Sequence, residues 1–465
     1  MLVVVLALTA TACVHTKPYY RGGRLTATTP AAATQVDHRL LLIGDAGDAN
    51  PAGEPVLELL ARQVRQLPDR TTVTFLGDNV YERGMPEAVP EALDEAAQAA
   101  NVILPKLFDS RKEAERCLDA QIDTVRGTTA RGIFIPGNHD WDPFEAGGWK
   151  RVLSQGNYLR ASALGNVDVS MLPEGGCPGP VPTPLGEHGV LIALDTQWWL
   201  ELGLDGKPRP DHNPTNCATT TEEAVVTALA SQLETAARQG RWAIVVGHHP
   251  LNSAGPHGGF VDPYTHLFPM RFLRHYVPFY LEWLPMPVLG TMAVLARQNF
   301  SPSPQDASNG RNEHLRTVLR RTMAESEKNG GPVLAYAAGH DHSLQVFRTP
   351  VGPRYTLVSG LGSASRASEV GATHNTLFAH SNALHAGFMQ LDFLRNGDVR
   401  LSVIEADGTA DGTTEAAGGE VFSMMIAEAD TPRGARPASK SDGVWNRVRD
   451  RAGSAWRGLR GKDTD

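Results

Sequence analysis

Five stretches of this chain place acidic, phenolic, amide or imidazole side chains directly after an apolar run. Gly44-Asp45-Ala46-Gly47-Asp48 follows Arg39 to Ile43, Gly77-Asp78-Asn79-Val80-Tyr81 follows Val73 to Leu76, and Gly137-Asn138-His139-Asp140 follows Gly132 to Pro136. Gly247-His248-His249-Pro250 and Gly339-His340-Asp341-His342 follow Trp242 to Val246 and Val333 to Ala337 in the same way. An apolar run broken by Gly and then by polar side chains is the pattern of a strand that ends in a functional loop. The loops offer Asp45, Asp78, Tyr81, Asn138, His248, His340 and His342, oxygen and imidazole donors without thiolates, a mix that suits iron, manganese or zinc. Asp78 could bridge two cations with its two oxygens, and Tyr81, three residues on, could turn back to the same centre. One Gly-Asp-x-x-Tyr alone reads equally well as a capped turn. Five such loops in one chain point to a shared centre.

The elements that must position these loops follow from periodicity. Glu54 to Gln66 carries apolar residues at helical spacing between two strands, so the unit is βαβ with parallel strands and a right-handed crossover. Pro86 to Asp123 reads as two helices covering the sheet. Val190 to Asp195 is a further strand, Trp198 and Trp199 after it read as core or rim packing or as a substrate contact, and Glu222 to Arg238 is a helix. Leu344–Arg348, Tyr355–Ser359, Phe388–Phe393 and Val399–Ile404 are closely spaced strands, which predicts antiparallel pairing in a second sheet. Ser359-Gly360-Leu361-Gly362-Ser363 either brings backbone amides to the centre or is a plain turn.

The formal charge of −8, from 43 basic and 51 acidic residues, argues against nucleic acid as the partner. Charge is uneven: from Thr431 onward the chain is basic, and Asp442 to Arg460 sets Val444, Trp445, Val448, Trp456 and Leu459 at roughly helical spacing among Arg residues. Met1 to Cys13 resembles a bacterial lipoprotein signal with Thr11-Ala12-Cys13 as its cleavage box. It predicts an exported protein, anchored through lipidated Cys13 to a bacterial membrane in the outer membrane or periplasm. Residues 257–298 are rich in aromatic, Leu, Met and Pro residues, but Arg271, Arg274, His275 and Glu282 interrupt them. They read as a packed subdomain, an apolar lid or a surface resting on lipid. The basic C-terminal helix reads equally well as a second surface for anionic lipid or as a helix docking on its own domain. Cys177 and Cys217 flank the strand Val190 to Asp195 in loops, which makes a disulfide between them reasonable, and Cys117 stays a free buried thiol.

Over about residues 38 to 405 the five motifs, in this order, resemble the calcineurin-like metallophosphoesterase superfamily, and more closely its purple acid phosphatase branch. The resemblance implies an α/β fold: a four-layer α/β/β/α sandwich of two mixed sheets flanked by helices. The expected division is a signal at 1–13, a tether at 14–36, the metallophosphoesterase domain at 37–407 with its insertion, and a C-terminal extension at 408–465. The resemblance implies two metal ions, the first held by Asp45, Tyr81 and His342, the second by Asn138, His248 and His340, with Asp78 between them. Many members carry Asp-x-His in the first motif, whereas Gly47 stands in that His place here. The Tyr81 phenolate favours trivalent iron at the first site, since a hard cation stabilises a deprotonated phenol. Iron, zinc or manganese would fill the second.

Such a pair lowers the pKa of a bound water, so that metal-bound hydroxide attacks phosphorus in line. His139 resembles the family's catalytic His, acting as acid from outside the ligand shell, with Asp140 accepting a hydrogen bond that orients the ring. Asn138 would also contact substrate, and His249, beside a ligand, would either contact substrate or support the ligands from behind. The expected activity is hydrolysis of phosphate monoesters, on a phosphorylated small molecule or lipid. Alternatives are a phosphodiesterase acting on nucleotides or lipid head groups, and a non-catalytic surface binding lipoprotein. No Gly-x-Ser-x-Gly elbow, Walker-type loop or Rossmann fingerprint is present.

Overall fold

The apolar runs of this chain are continuous rather than alternating, as strands buried on both faces require. The computed structural model describes residues 18–21, 28–51, 53–88, 105–142, 147–202, 214, 216–261, 266–270, 283–331, 333–382, 384–407 and 418–428. The strands are β1 (Tyr19–Tyr20), β2 (Val36–Ile43), β3 (Thr71–Phe75), β4 (Arg131–Phe134), β5 (Asp168–Met171), β6 (Val181–Leu185), β7 (Gly189–Ala193) and β8 (Trp242–Val246). Then come β9 (Val333–Ala338), β10 (Leu344–Arg348), β11 (Tyr355–Ser359), β12 (Thr376–His380), β13 (Gly387–Leu394), β14 (Val399–Ala406) and β15 (Gly418–Ala427). They form two mixed sheets, ordered β1-β12-β10-β11-β9-β8-β7-β6 and β15-β14-β13-β2-β3-β4-β5. One continuous core lies between them, including Leu41, Ile43, Phe75, Ile244, Tyr336 and Phe388.

Helices cover both outer faces and complete the expected layers. Pro55–Gln66 turns Val56, Leu57, Leu60 and Val64 inward, and Trp149–Ala163 packs on β5. On the other sheet, Glu222–Arg238 buries Val225, Leu229 and Leu233 beside Gly310–Lys328, which buries Leu315, Leu319 and Met323. Each such fully buried aliphatic contributes ~1.5–3 kcal/mol. Thr221 starts the first of these two helices by accepting the amide of Ala224, a cap of ~1 kcal/mol. The Cys177–Cys217 disulfide forms, and Cys117 is free and buried.

The structure differs from expectation in several places. The late strands split: β10 and β11 extend the sheet of β9, whereas β13 pairs with β2, Met389 opposite Leu42. Without that pairing β2 would present a bare edge between apolar layers. The tether expected at 14–36 is partly built into the fold, because β1 adds to β12 and Thr28 accepts from the buried Arg400 guanidinium. β15 extends the sheet beyond residue 407, where only an extension was expected. Short edge strands such as β6, with Pro182 and Pro184, carry no sequence signal, since proline is tolerated only where no ladder partner needs its amide. Of the two helices expected in Pro86 to Asp123, Pro105–Ile122 is present, and residues 89–104 lie outside the described residues. Residues 1–17, including Cys13, and the C-terminal helix expected at Asp442 to Arg460 also lie outside them, as does part of the insertion.

Candidate metal centre

Parallel strands β2, β3 and β4 of one sheet and β8 and β9 of the other end on the same side, and their loops meet there. Backbone bonds lock them: Gly44 donates to Ser359, Asp45 to the Gly77 carbonyl, Gly47 to the Asp78 carbonyl, and Gly339 to the His248 carbonyl. Glycine is obligatory where the loops touch. A Cβ on Gly77 would stand 2.6 Å from His248 Nδ1, and one on Gly137 would collide with Asp78. Asp45, Asp78 and His340 all hold left-handed φ, at 59°, 54° and 72°, which costs ~1–2 kcal/mol each in a non-glycine residue. Strain of this kind persists only where surrounding contacts impose it.

The seven candidate donors form two groups. Tyr81 Oη lies 3.1 Å from Asp45 Oδ1, Asp78 Oδ2 and His342 Nε2 alike, and His342 Nε2 is 3.4 Å from Asp45 Oδ1. Asn138 Oδ1 lies 3.0 Å from both His248 Nε2 and His340 Nδ1, and those two nitrogens are 3.2 Å apart. Asp78 Oδ1 is 3.4 Å from His248 Nε2, so its two oxygens face different groups. Each imidazole turns its other nitrogen to a backbone carbonyl: His248 Nδ1 to Leu76, His340 Nε2 to Gln305, and His342 Nδ1 to Arg366. Those carbonyls can only accept, so the outer nitrogens carry the protons and the inner ones present lone pairs.

Lone pairs therefore face lone pairs, with one phenolic proton shared among three acceptors in the first group. A cation resolves this, and donors bonded at ~2.0–2.2 Å to one ion sit about 3.0–3.5 Å apart, as these do. The residues fit a metal pair. Without one, burial opposes charge on His248, but the Asp78 carboxylate outweighs it and draws the ring up to about 9. Burial likewise opposes ionisation of Asp78, yet His248 and His139 hold it well below the usual carboxylate range. Burial, with Asp45 and Asp78, pushes the Tyr81 phenol well above 10, so phenolate forms there only beside a cation.

Two expected roles are corrected. Asp140 makes no bond to His139. Its buried carboxylate accepts from the amides of Gly137 (2.8 Å), Asn79 (3.0 Å) and Val80 (3.1 Å) and from Asn79 Nδ2 (3.1 Å), which ties the Asp78 loop to the Asn138 turn. His139 is oriented instead by Glu82, whose carbonyl oxygen lies 2.5 Å from Nδ1. His249 is buried with Nδ1 on Thr196 (2.8 Å) and Nε2 on Gln305 (2.6 Å), so neither nitrogen is left for substrate. The Gly-rich segment braces the Asp45 loop, with Gly362 donating to the Gly44 carbonyl and Ser363 Oγ to the Asp45 carbonyl. Trp198 and Trp199 are core residues.

Other residues at the centre carried no strand-end signal. Arg366 lies with its guanidinium 3.6 Å from the Tyr81 ring centre, held by Glu82 and Asp48. His257 stacks against His340 at 4.1 Å and meets Asp306 at 2.7 Å through Nδ1. Gln305 and His257 belong to one covering segment, since Ala307 donates to the His257 carbonyl. Composition marked residues 257–298 as apolar, which concealed the polar His257 at their start; Gln305 lies beyond them.

The family description that matches the chain is calcineurin-like phosphoesterase, over residues 38–276, just over half of its length. No curated protein matches the sequence. Among solved structures, GAP50, the anchor in the inner membrane complex of Plasmodium, is 14% identical with a TM-score of 0.45, covering 83% of this chain and 90% of that one. A dimetal phosphatase from Danio rerio is 13% identical with a TM-score of 0.36, covering 84% and 99%.

Proposed function

The chain belongs to the calcineurin-like phosphoesterase family, and from that membership we propose that it hydrolyses phosphate monoesters with two metal ions held by the seven donors. Membership makes it a metal-dependent phosphoester hydrolase; the monoester preference and the roles below are our reading. The observation that supports the metal pair is the two donor groups sharing Asp78, each with mutual distances that suit one cation. Asp45, Tyr81 and His342 would hold a trivalent iron, and Asn138, His248 and His340 an iron, zinc or manganese. When bound, the ions supply positive charge for the phosphoryl oxygens and an activated water as nucleophile.

The chain's own residues do the rest. The His139 amide donates to Asp78 Oδ1 at 2.9 Å, which fixes the ring's distance from the shared carboxylate. The ring packs edge-on against Tyr81 at 4.6 Å and is partly open to solvent. Doubly protonated, His139 keeps its Glu82 bond through Nδ1 and offers Nε2–H to the departing oxygen. Metal content by mass spectrometry, paired with turnover of an aryl phosphate and a bis-aryl phosphate, tests the reading. Two metals per chain with faster monoester cleavage support it. Diester preference would make the protein a phosphodiesterase, and no turnover after metal reconstitution would leave a binding lipoprotein.

A further inference from the structure

Helix Pro287–Asn299 is apolar on its outward side. Val288 (72% exposed), Leu289, Met292 (63%) and Leu295 fall at the spacing of one helical face, while Gly290 and Val294 on the opposite face are buried. Trp283 and Leu284 precede this stripe and Phe300 (82%) follows it, all exposed. Soluble monomers rarely leave so many large apolar side chains contiguous and bare. No described helix is long and apolar enough to cross a membrane, so the stripe is suited to the interface rather than the bilayer interior.

We infer that this face rests on a lipid bilayer, with the metal centre held beside the membrane surface. Where the chain enters the fold supports lipid as the occupant. Tyr19 pairs with Ala379, which sets Pro18 level with His380, and His380 pairs with Leu344 just after the His340–His342 loop. The N-terminal segment therefore leaves the molecule at the metal end. Cys13, five residues earlier, lies at most about 17 Å of extended chain from Pro18. The apolar helix stands at that end too, because its segment leaves after His248 and returns through Gln305, which contacts His249 and His340. A lipid on Cys13 would bring that end of the molecule to the bilayer. The basic C-terminal segment departs from Ala427, level with Val399 at the far end of β15, roughly 33 Å of strand away.

The test uses a chain that begins at Val14, without Cys13 and so without any lipid on it, and phosphatidylcholine vesicles, on which the basic tail gains no electrostatic attraction. The chain should float with the vesicles. The variant Leu289→Asp/Met292→Asp should lose roughly tenfold or more of that binding while keeping its melting temperature and its turnover of a soluble aryl phosphate. Failure of the parent chain to float, or equal flotation of the variant, would overturn the inference. So would a parent dimer in solution that the variant splits, which would assign the face to a second copy. Vesicle binding is read without turnover, so its failure leaves the phosphoesterase reading standing.

Discussion

Asp140→Asn separates two roles for one carboxylate. If Asp140 oriented His139, the change would alter the pH profile and leave stability intact. The structure instead gives the carboxylate four N–H donors from two loops and no hydrogen bond to the His139 ring. An Asn has one accepting oxygen and one NH2. With NH2 in the Oδ1 place, Val80 loses its acceptor and the Asn79 amide keeps only its longer bond, 3.2 Å to Oδ2; in the Oδ2 place, Gly137 and Asn79 Nδ2 lose theirs. Each lost bond to a charged group is worth ~1.5–3 kcal/mol, so the variant should be at least about 1.5 kcal/mol less stable. Burial, and then Asp78, push the Asp140 carboxyl up, which offsets part of that loss. Because the two loops carry Asp78, Tyr81 and Asn138, bound metal should fall with stability. Urea unfolding with and without a chelator, alongside metal analysis, measures both. A variant of parental stability holding two metals would refute this account of Asp140.

Three further outcomes are expected. His139→Ala should retain both metals yet lose ~10²–10⁴-fold in turnover, most with alkyl leaving groups that need a proton; loss of metal instead would reassign His139 to the ligand shell. Tyr81→Phe should abolish a visible charge-transfer band of the iron form, and a colourless parent active with zinc or manganese would remove the case for trivalent iron. His38, beside Thr72, is depressed by burial from 6.5 to about 4. The unfolded chain thus takes up the proton first, so stability is full above pH 6.5 and falls toward pH 4 by at most ~3 kcal/mol. His38→Gln should flatten that slope, and an unchanged acid limb would show that His38 does not set it.

The candidate donors were legible from sequence because each sits just past an apolar run whose strand character is local, and the glycine beside it announces the loop. The roles of Asp140 and His249 were not, since adjacency in sequence says nothing about which way a side chain turns. Asp140 faces its own turn and the Asn79 loop, and His249 turns toward Thr196 and Gln305. Arg366 reaches the centre from a segment with no strand-end signal and His257 from one whose composition reads as apolar, so only the folded chain shows them.

By itself the sequence determined the strands that lead into the five candidate donor loops, the α/β class and the order of those loops, because apolar periodicity and Gly breaks act over a few residues. Only the tertiary structure decided that β13 closes the edge of β2, that β1 and β15 belong to the sheets, and that Asp78 turns one oxygen to each donor group. Those are contacts between residues far apart in the chain, settled by which bare edge or lone pair found a partner in the packed molecule.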